Sequence, residues 1–158
     1  MMTMCPSCFE LYSEIWSKPC CDCGYKTVSV SIELIGVAKL LINRGFKVSY
    51  ANCSTYDDES GVGKVTQITI EFGVSYPEAI FAELPPDWTT YEFNHVKDNQ
   101  ILKPNLTGLS CICEHIPNEC DSDSIDFTKE VTISNLELWL ESKDPEACRA
   151  IFRLAGCD

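Results

Sequence analysis

The chain has 158 residues, a hydrophobic share of 45% and a formal net charge of -12. That much apolar material supplies one core with at most a small appended module, which excludes a disordered polypeptide. The charge argues against broad contact with a phosphate backbone, which needs clustered Lys and Arg, and no apolar run reaches the roughly 18 residues of a bilayer crossing.

The first feature in chain order is Met4 to Tyr25 (MCPSCFELYSEIWSKPCCDCGY), which holds five of the eleven cysteines. In a small secreted chain so many cysteines would suggest disulfides. Here the count is odd, and the opening residues show no basic start followed by an apolar run. The expectation is therefore reduced thiols in a cytoplasmic protein.

A helix is expected next. Ser31 is its N-cap, residues from Ile32 to Ile42 form its apolar face, and Gly45 follows its end. Phe46, Val48 and Tyr50 alternate with polar residues as in a strand, Ser54 to Lys64 reads as a polar loop, and Val65 to Phe72 as an antiparallel strand. Ser75 and Glu78 form a capping box that opens a short helix to Glu83, which Leu84-Pro85-Pro86 stops.

Trp88 to Phe93 reads as a strand, Asn94 to Asn105 as a loop, Leu106 to Cys113 as a strand and Pro117 to Asp126 as an acidic loop. Ser134 and Glu137 form a second capping box before a helix. Asp144-Pro145-Glu146 caps the last helix, which Gly156 ends. The fold class is α+β: a knuckle module on a small antiparallel sheet packed with helices, closed by a C-terminal helical pair. The segments are 1–27, 28–105 and an acidic 106–158.

Cys5-x-x-Cys8 and Cys20-x-x-Cys23 are two paired-cysteine turns joined by a short segment. Each turn places two thiolates on one edge of a tetrahedron, so the four together suit a zinc ion, with Gly24 easing the second turn and Cys21 a bystander. The pattern resembles a zinc ribbon. Free structural thiols are the plainer alternative. A thioredoxin-like pair would follow a strand and open a long helix. Pro19-Cys20-x-x-Cys23 matches half of a zinc deaminase signature, but no H-x-E precedes it.

Cys111, Cys113, His115 and Cys120 form a candidate second site. If 109–113 is a strand, Cys111 and Cys113 share a face. Their spacing matches no zinc class, which favours two core cysteines, a solvated histidine and a loop cysteine. Cys148 and Cys157 read as small apolar residues of the last helix. Gly61-Val62-Gly63-Lys64 falls short of a phosphate loop, and Asp57-Asp58-Glu59 reads as solvated acid.

The order of elements resembles a group of small zinc-ribbon proteins encoded by bacteriophages and prophages. The matching pieces are the four ribbon cysteines, Ile32 to Phe46, Val48 to Cys53, Ile68 to Phe72 and Leu84-Pro85. That group often carries a C-x-G-H turn after the second strand, where this chain has Cys53-Ser54-Thr55-Tyr56. The resemblance implies no reaction.

Between Glu114 and Glu146 lie ten carboxylates against Lys129 and Lys143. Three functions follow as expectations. The first is a non-enzymatic module that presents an acidic surface to a basic host protein, for instance a defence or nucleic-acid-handling enzyme. The second is a nucleic-acid-binding ribbon using Lys18, Lys26, Lys39, Arg44 and Lys47. The third is a small metalloenzyme with an open metal position at Cys111, Cys113 and His115.

Overall fold

The computed structural model describes residues 1–157. Seven strands form one sheet: β1 (Met2–Met4), β2 (Leu11–Ser13), β3 (Val28–Val30), β4 (Val48–Asp57), β5 (Lys64–Phe72), β6 (Trp88–Lys97) and β7 (Gln100–His115). Their spatial order is β2-β1-β3-β4-β5-β7-β6. All neighbours are antiparallel except β3 and β4, which run parallel. The parallel pair needs a crossover, and helix α1 (Ile35–Asn43) supplies it. Helices α2 (Ser122–Glu141) and α3 (Pro145–Ala155) follow the sheet. The α+β class is as the sequence implies.

One face of the sheet is core. Along β5, Thr66, Ile68, Ile70 and Phe72 are buried while the residues between them are half-exposed, the period-2 signature of a sheet covered on one side. Val37, Ala38 and Leu41 of α1, Leu136 and Leu140 of α2, and Phe152 of α3 complete the core. At its centre Phe46 lies 4.7–5.9 Å, centroid to centroid, from Phe72, Tyr76, Phe81 and Phe152. Gly45 delivers it there. Its φ of +90° turns the chain out of α1, and a Cβ at this position would meet the Arg149 side chain at 2.9 Å.

Several boundaries differ from the sequence reading. The residues expected as a helix at 75–83 make only a 3-10 turn, Glu78–Phe81, entered through Pro77 with no side-chain cap. The fixed geometry of Pro77 and the prolines at 85 and 86 leave no room for another turn. The expected loop 94–105 is the far half of the β6–β7 hairpin. Asp98 and Asn99, both at positive φ, form its tip, and the register slips near Asn105 (φ 54°). Most of this half is exposed, so no apolar alternation marks it.

The acidic loop expected at 117–126 is short. Asp121 caps α2 by accepting from the Ser124 amide at 3.0 Å, and Ser134 and Glu137 lie inside that helix instead of starting one. Ile125 and Ile133, upstream of that box, already share a helical face with Leu136 inside it. Ser31 does not cap α1: its hydroxyl bonds Asn52 and accepts from the Cys53 amide. Asp144 and Gly156 do cap α3.

Arg44 ties the helix ends together from a buried position. It donates to the carbonyls of Leu40, Leu140 and Lys143 at 2.7–3.1 Å. A cation among helix C-terminal carbonyls is favoured by their dipoles, and only a planar donor set serves three of them at once. Arg44→Met should lower unfolding free energy by about 2–4 kcal/mol in urea titration, because three carbonyls lose charged donors. A change below about 0.5 kcal/mol would show the contact to be energetically idle.

Candidate metal centre

Cys5-Pro-Ser-Cys8-Phe9-Glu10 and Cys20-Cys21-Asp-Cys23-Gly24-Tyr25 fold into the same turn twice. In the first, Phe9 donates its amide to the Cys5 carbonyl at 3.0 Å and Cys5 donates to Glu10 at 2.9 Å. In the second, Gly24 donates to Cys20 and Cys20 to Tyr25, each at 2.9 Å. The fifth residue of each turn takes a left-handed backbone, with φ 63° at Phe9 and 70° at Gly24. Glycine adopts that shape freely, whereas a side chain pays about 1–2 kcal/mol. Phe9 is held in it by packing on the core, with the Lys39 ammonium 5.6 Å above its ring.

The two turns face each other. The sulfurs of Cys5, Cys8, Cys20 and Cys23 all lie within 4.8 Å of one another, and among the described residues this is the one set of three or more metal-ligating groups to converge so. Four sulfurs at such spacing can hold a metal ion. Cys5 and Cys20 are buried, Cys23 is half-buried and Cys8 is exposed. The neighbouring Cys21 points outside the set and is exposed.

Hydrogen bonds favour ionised sulfur here. The Ser7 amide lies 3.4 Å from the Cys5 sulfur, and the Tyr12 hydroxyl donates to the Cys20 sulfur at 3.3 Å while accepting from the Cys21 amide at 3.0 Å. The Tyr12 hydroxyl, with the Cys23 and Asp22 amides, draws Cys20 down to about 6. At Cys8 the Glu10 amide pulls downward, but Cys23, burial and the other sulfurs outweigh it and push the thiol up to about 12. The protons are thus shared unequally, and metal must displace those that remain. Tyr12 in turn stacks on Trp16, with centroids 4.7 Å apart and planes 10° from parallel.

The centre is joined to the main sheet. β1 leads directly into Cys5 and pairs with both β2 and β3, with Met4 and Cys5 fully buried.

Cys111, Cys113, His115 and Cys120 are arranged differently. The first three share the core face of β7, but their ligand atoms and that of Cys120 do not converge as the first four do. His115 is buried, not solvated, and its Nε2 lies 2.7 Å from the Thr66 hydroxyl, which continues to Thr55 at 2.8 Å. Cys113 faces Thr132 at 3.5 Å, and Cys120 donates to the His115 and Ile116 carbonyls. Cys111 raises no charge of its own: Cys113 and burial hold its thiol well above the usual range, while Cys113, assisted by Cys111, falls to about 6. Cys148 and Cys157 are buried, as small apolar residues would be.

No protein-family model, curated protein or solved structure matches the chain. Phe9, Tyr12 and Trp16 support the cysteine turns without any ligand spacing of their own in the sequence. The only signal for them is that aromatics fill the segment between the two cysteine pairs.

Two outcomes follow. Cys20→Ser should abolish metal retention and Cys21→Ser should leave it intact, read by metal content after dialysis, with Trp16 fluorescence following the loss. Loss of metal from Cys21→Ser would reassign the ligand. Burial, with Lys129 nearby, holds His115 below its ordinary value of 6.5. The unfolded chain therefore takes up a proton that the folded chain refuses, and stability falls as the pH drops below about 6.5. Compared with wild type, His115→Gln should show a shallower decline between about pH 6.5 and 5 in denaturant titrations. Parallel curves would show that His115 titrates freely.

Proposed function

We propose that the chain is a non-enzymatic interaction protein, its N-terminal module held by one zinc ion and its acidic C-terminal third turned toward a basic surface on a partner protein. The observation that carries the first half is the convergence of the Cys5, Cys8, Cys20 and Cys23 sulfurs. Four soft thiolates favour zinc over hard, oxygen-seeking cations. With four protein ligands the ion keeps no open position for water or substrate, so its task is to fold the module. Structural zinc contributes about 10–16 kcal/mol in small zinc-binding peptides at neutral pH, enough to order a segment this short.

The second half is supported by charge placement. Ten carboxylates stand against two lysines between Glu114 and Glu146. The resemblance to phage and prophage proteins supports a host protein as the partner, with a defence or nucleic-acid-handling enzyme as the class an acidic surface would cover. The nucleic-acid reading draws less support. Of its five cations, Arg44 is buried among carbonyls and Lys39 lies over Phe9. We place no reaction at His115, whose ring nitrogen is bonded to Thr66.

Native mass spectrometry should find one zinc per chain, and Cys8→Ser should abolish it. Two zinc ions per chain would bring Cys111 to Cys120 back as a metal site. Glutamine or asparagine at the carboxylates from Glu114 to Glu146 should weaken binding of a lysine-rich peptide about tenfold or more at low salt. Unchanged affinity would overturn the acidic-surface reading.

A further inference from the structure

Helix α2 carries an apolar stripe that nothing in the fold covers. Phe127, Val131 and Leu138 are 68%, 44% and 64% exposed. At about 100° per residue they fall within about 40° of arc, along about 16 Å of helix. This stripe is separate from the buried one, where Ile125, Ile133, Leu136 and Leu140 face the core.

The two flanks of the stripe differ. On one side Asp123, Glu130, Glu137 and Glu141 form a row just beyond Ser134, and none of the four is in an ion pair among the described residues. On the other side lie Ser124, Thr128 and Asn135, all uncharged. Lys129 lies beyond the acid row, on the far side from the stripe: it pairs with Glu33 at 3.6 Å and Asp126 at 3.9 Å and lines the same cavity as Glu130 and Glu137 without reaching ion-pair distance of either. The result is an apolar row bordered by acid along one edge only.

We propose that this face of α2 docks a basic amphipathic helix: apolar residues at helical spacing meet Phe127, Val131 and Leu138, and lysine or arginine along one flank meets the acid row. Apolar contact gives the affinity, and the one-sided charge fixes orientation. A second copy of this chain fits poorly. An antiparallel copy would bring both acid rows to the same side of the contact, and each chain carries a net charge of -12. The inference rests on the acidic-surface reading above and narrows it to one helix and one partner shape.

The test uses the full zinc-loaded chain and two dye-labelled synthetic peptides of about 18 residues, long enough to span the stripe. Both contain only Leu, Lys, Ala and Gln in equal proportions. One sets Leu in a stripe with Lys along one flank, and the other scatters them around the helix. Fluorescence anisotropy at about 0.15 M salt, where diffuse charge attraction is largely screened, should show the patterned peptide binding about tenfold or more tighter. Phe127→Ser with Leu138→Ser should remove that preference, and Glu130→Gln with Glu137→Gln should weaken binding and flatten its salt dependence. All four positions are outside the core, and metal content and circular dichroism check that the variants fold.

Equal binding of the two peptides, or no effect of the serine substitutions, would overturn the inference. If glutamine substitutions elsewhere on the acidic third still weakened binding, the broader reading would survive that failure. If no carboxylate mattered, both would fall. A concentration-dependent dimer, lost on Phe127→Ser with Leu138→Ser, would assign the face to a second copy and also overturn the proposal.

Discussion

The fold depends on where Phe46 is placed. Its ring is the meeting point of Phe72 from β5, Tyr76 just before the 3-10 turn, Phe81 at the end of that turn, and Phe152 from α3. Three regions far apart in sequence, at residues 46, 72–81 and 152, therefore share one packing site, and its position is set by the reversal at Gly45. Edge-on and tilted aromatic pairs at these distances contribute beyond their buried area. Arg44, one residue before the turn, then fixes the ends of α1 and α2 to each other. A helix end, a glycine turn and an aromatic anchor in consecutive residues give the helical layer its register on the sheet.

The cysteine module gains from that platform. It is too small for a core of its own, so its order comes from two sources. One is the sulfur cluster. The other is β1, whose three residues pair with β3 and sink Met4 into the main core. The strained Phe9 belongs to both. Its left-handed backbone completes the first turn, and its ring packs outward against the body of the protein. Glycine there would relax the turn but cut that tether, and the sequence keeps the tether.

The sequence made the candidate metal centre legible because two short turns with fixed ligand spacing carry their own geometry. The α+β class, the ends of α3 and the Gly45 turn were legible for the same reason: cap and turn residues act locally. What the sequence hid depends on distant partners. β1 and β2 are three residues each and exist only because β3 lies beside β1. The outer half of the β6–β7 hairpin is exposed on both faces, so periodicity is silent there. The start of α2 was masked by its acid, and Ser134 with Glu137 imitates a helix start within a helix already under way. The environment of His115 could not be read either, because Thr66 reaches it from the neighbouring strand β5, 49 residues away in sequence.

Net charge alone would not select a partner. A divalent ion held by four thiolates replaces four protons with two charges, which moves the formal total from -12 to about -14. At physiological salt, though, exposed charges farther apart than about 8 Å are largely screened from one another. What a docking partner senses is the local pattern, and on α2 that pattern is asymmetric, with carboxylates on one border of an apolar row and hydroxyls and an amide on the other. The carboxylates also resist self-association of the row, which keeps exposed Phe127 and Leu138 compatible with a monomer. The same side chains that would attract a basic helix thereby protect the apolar face while it is unoccupied.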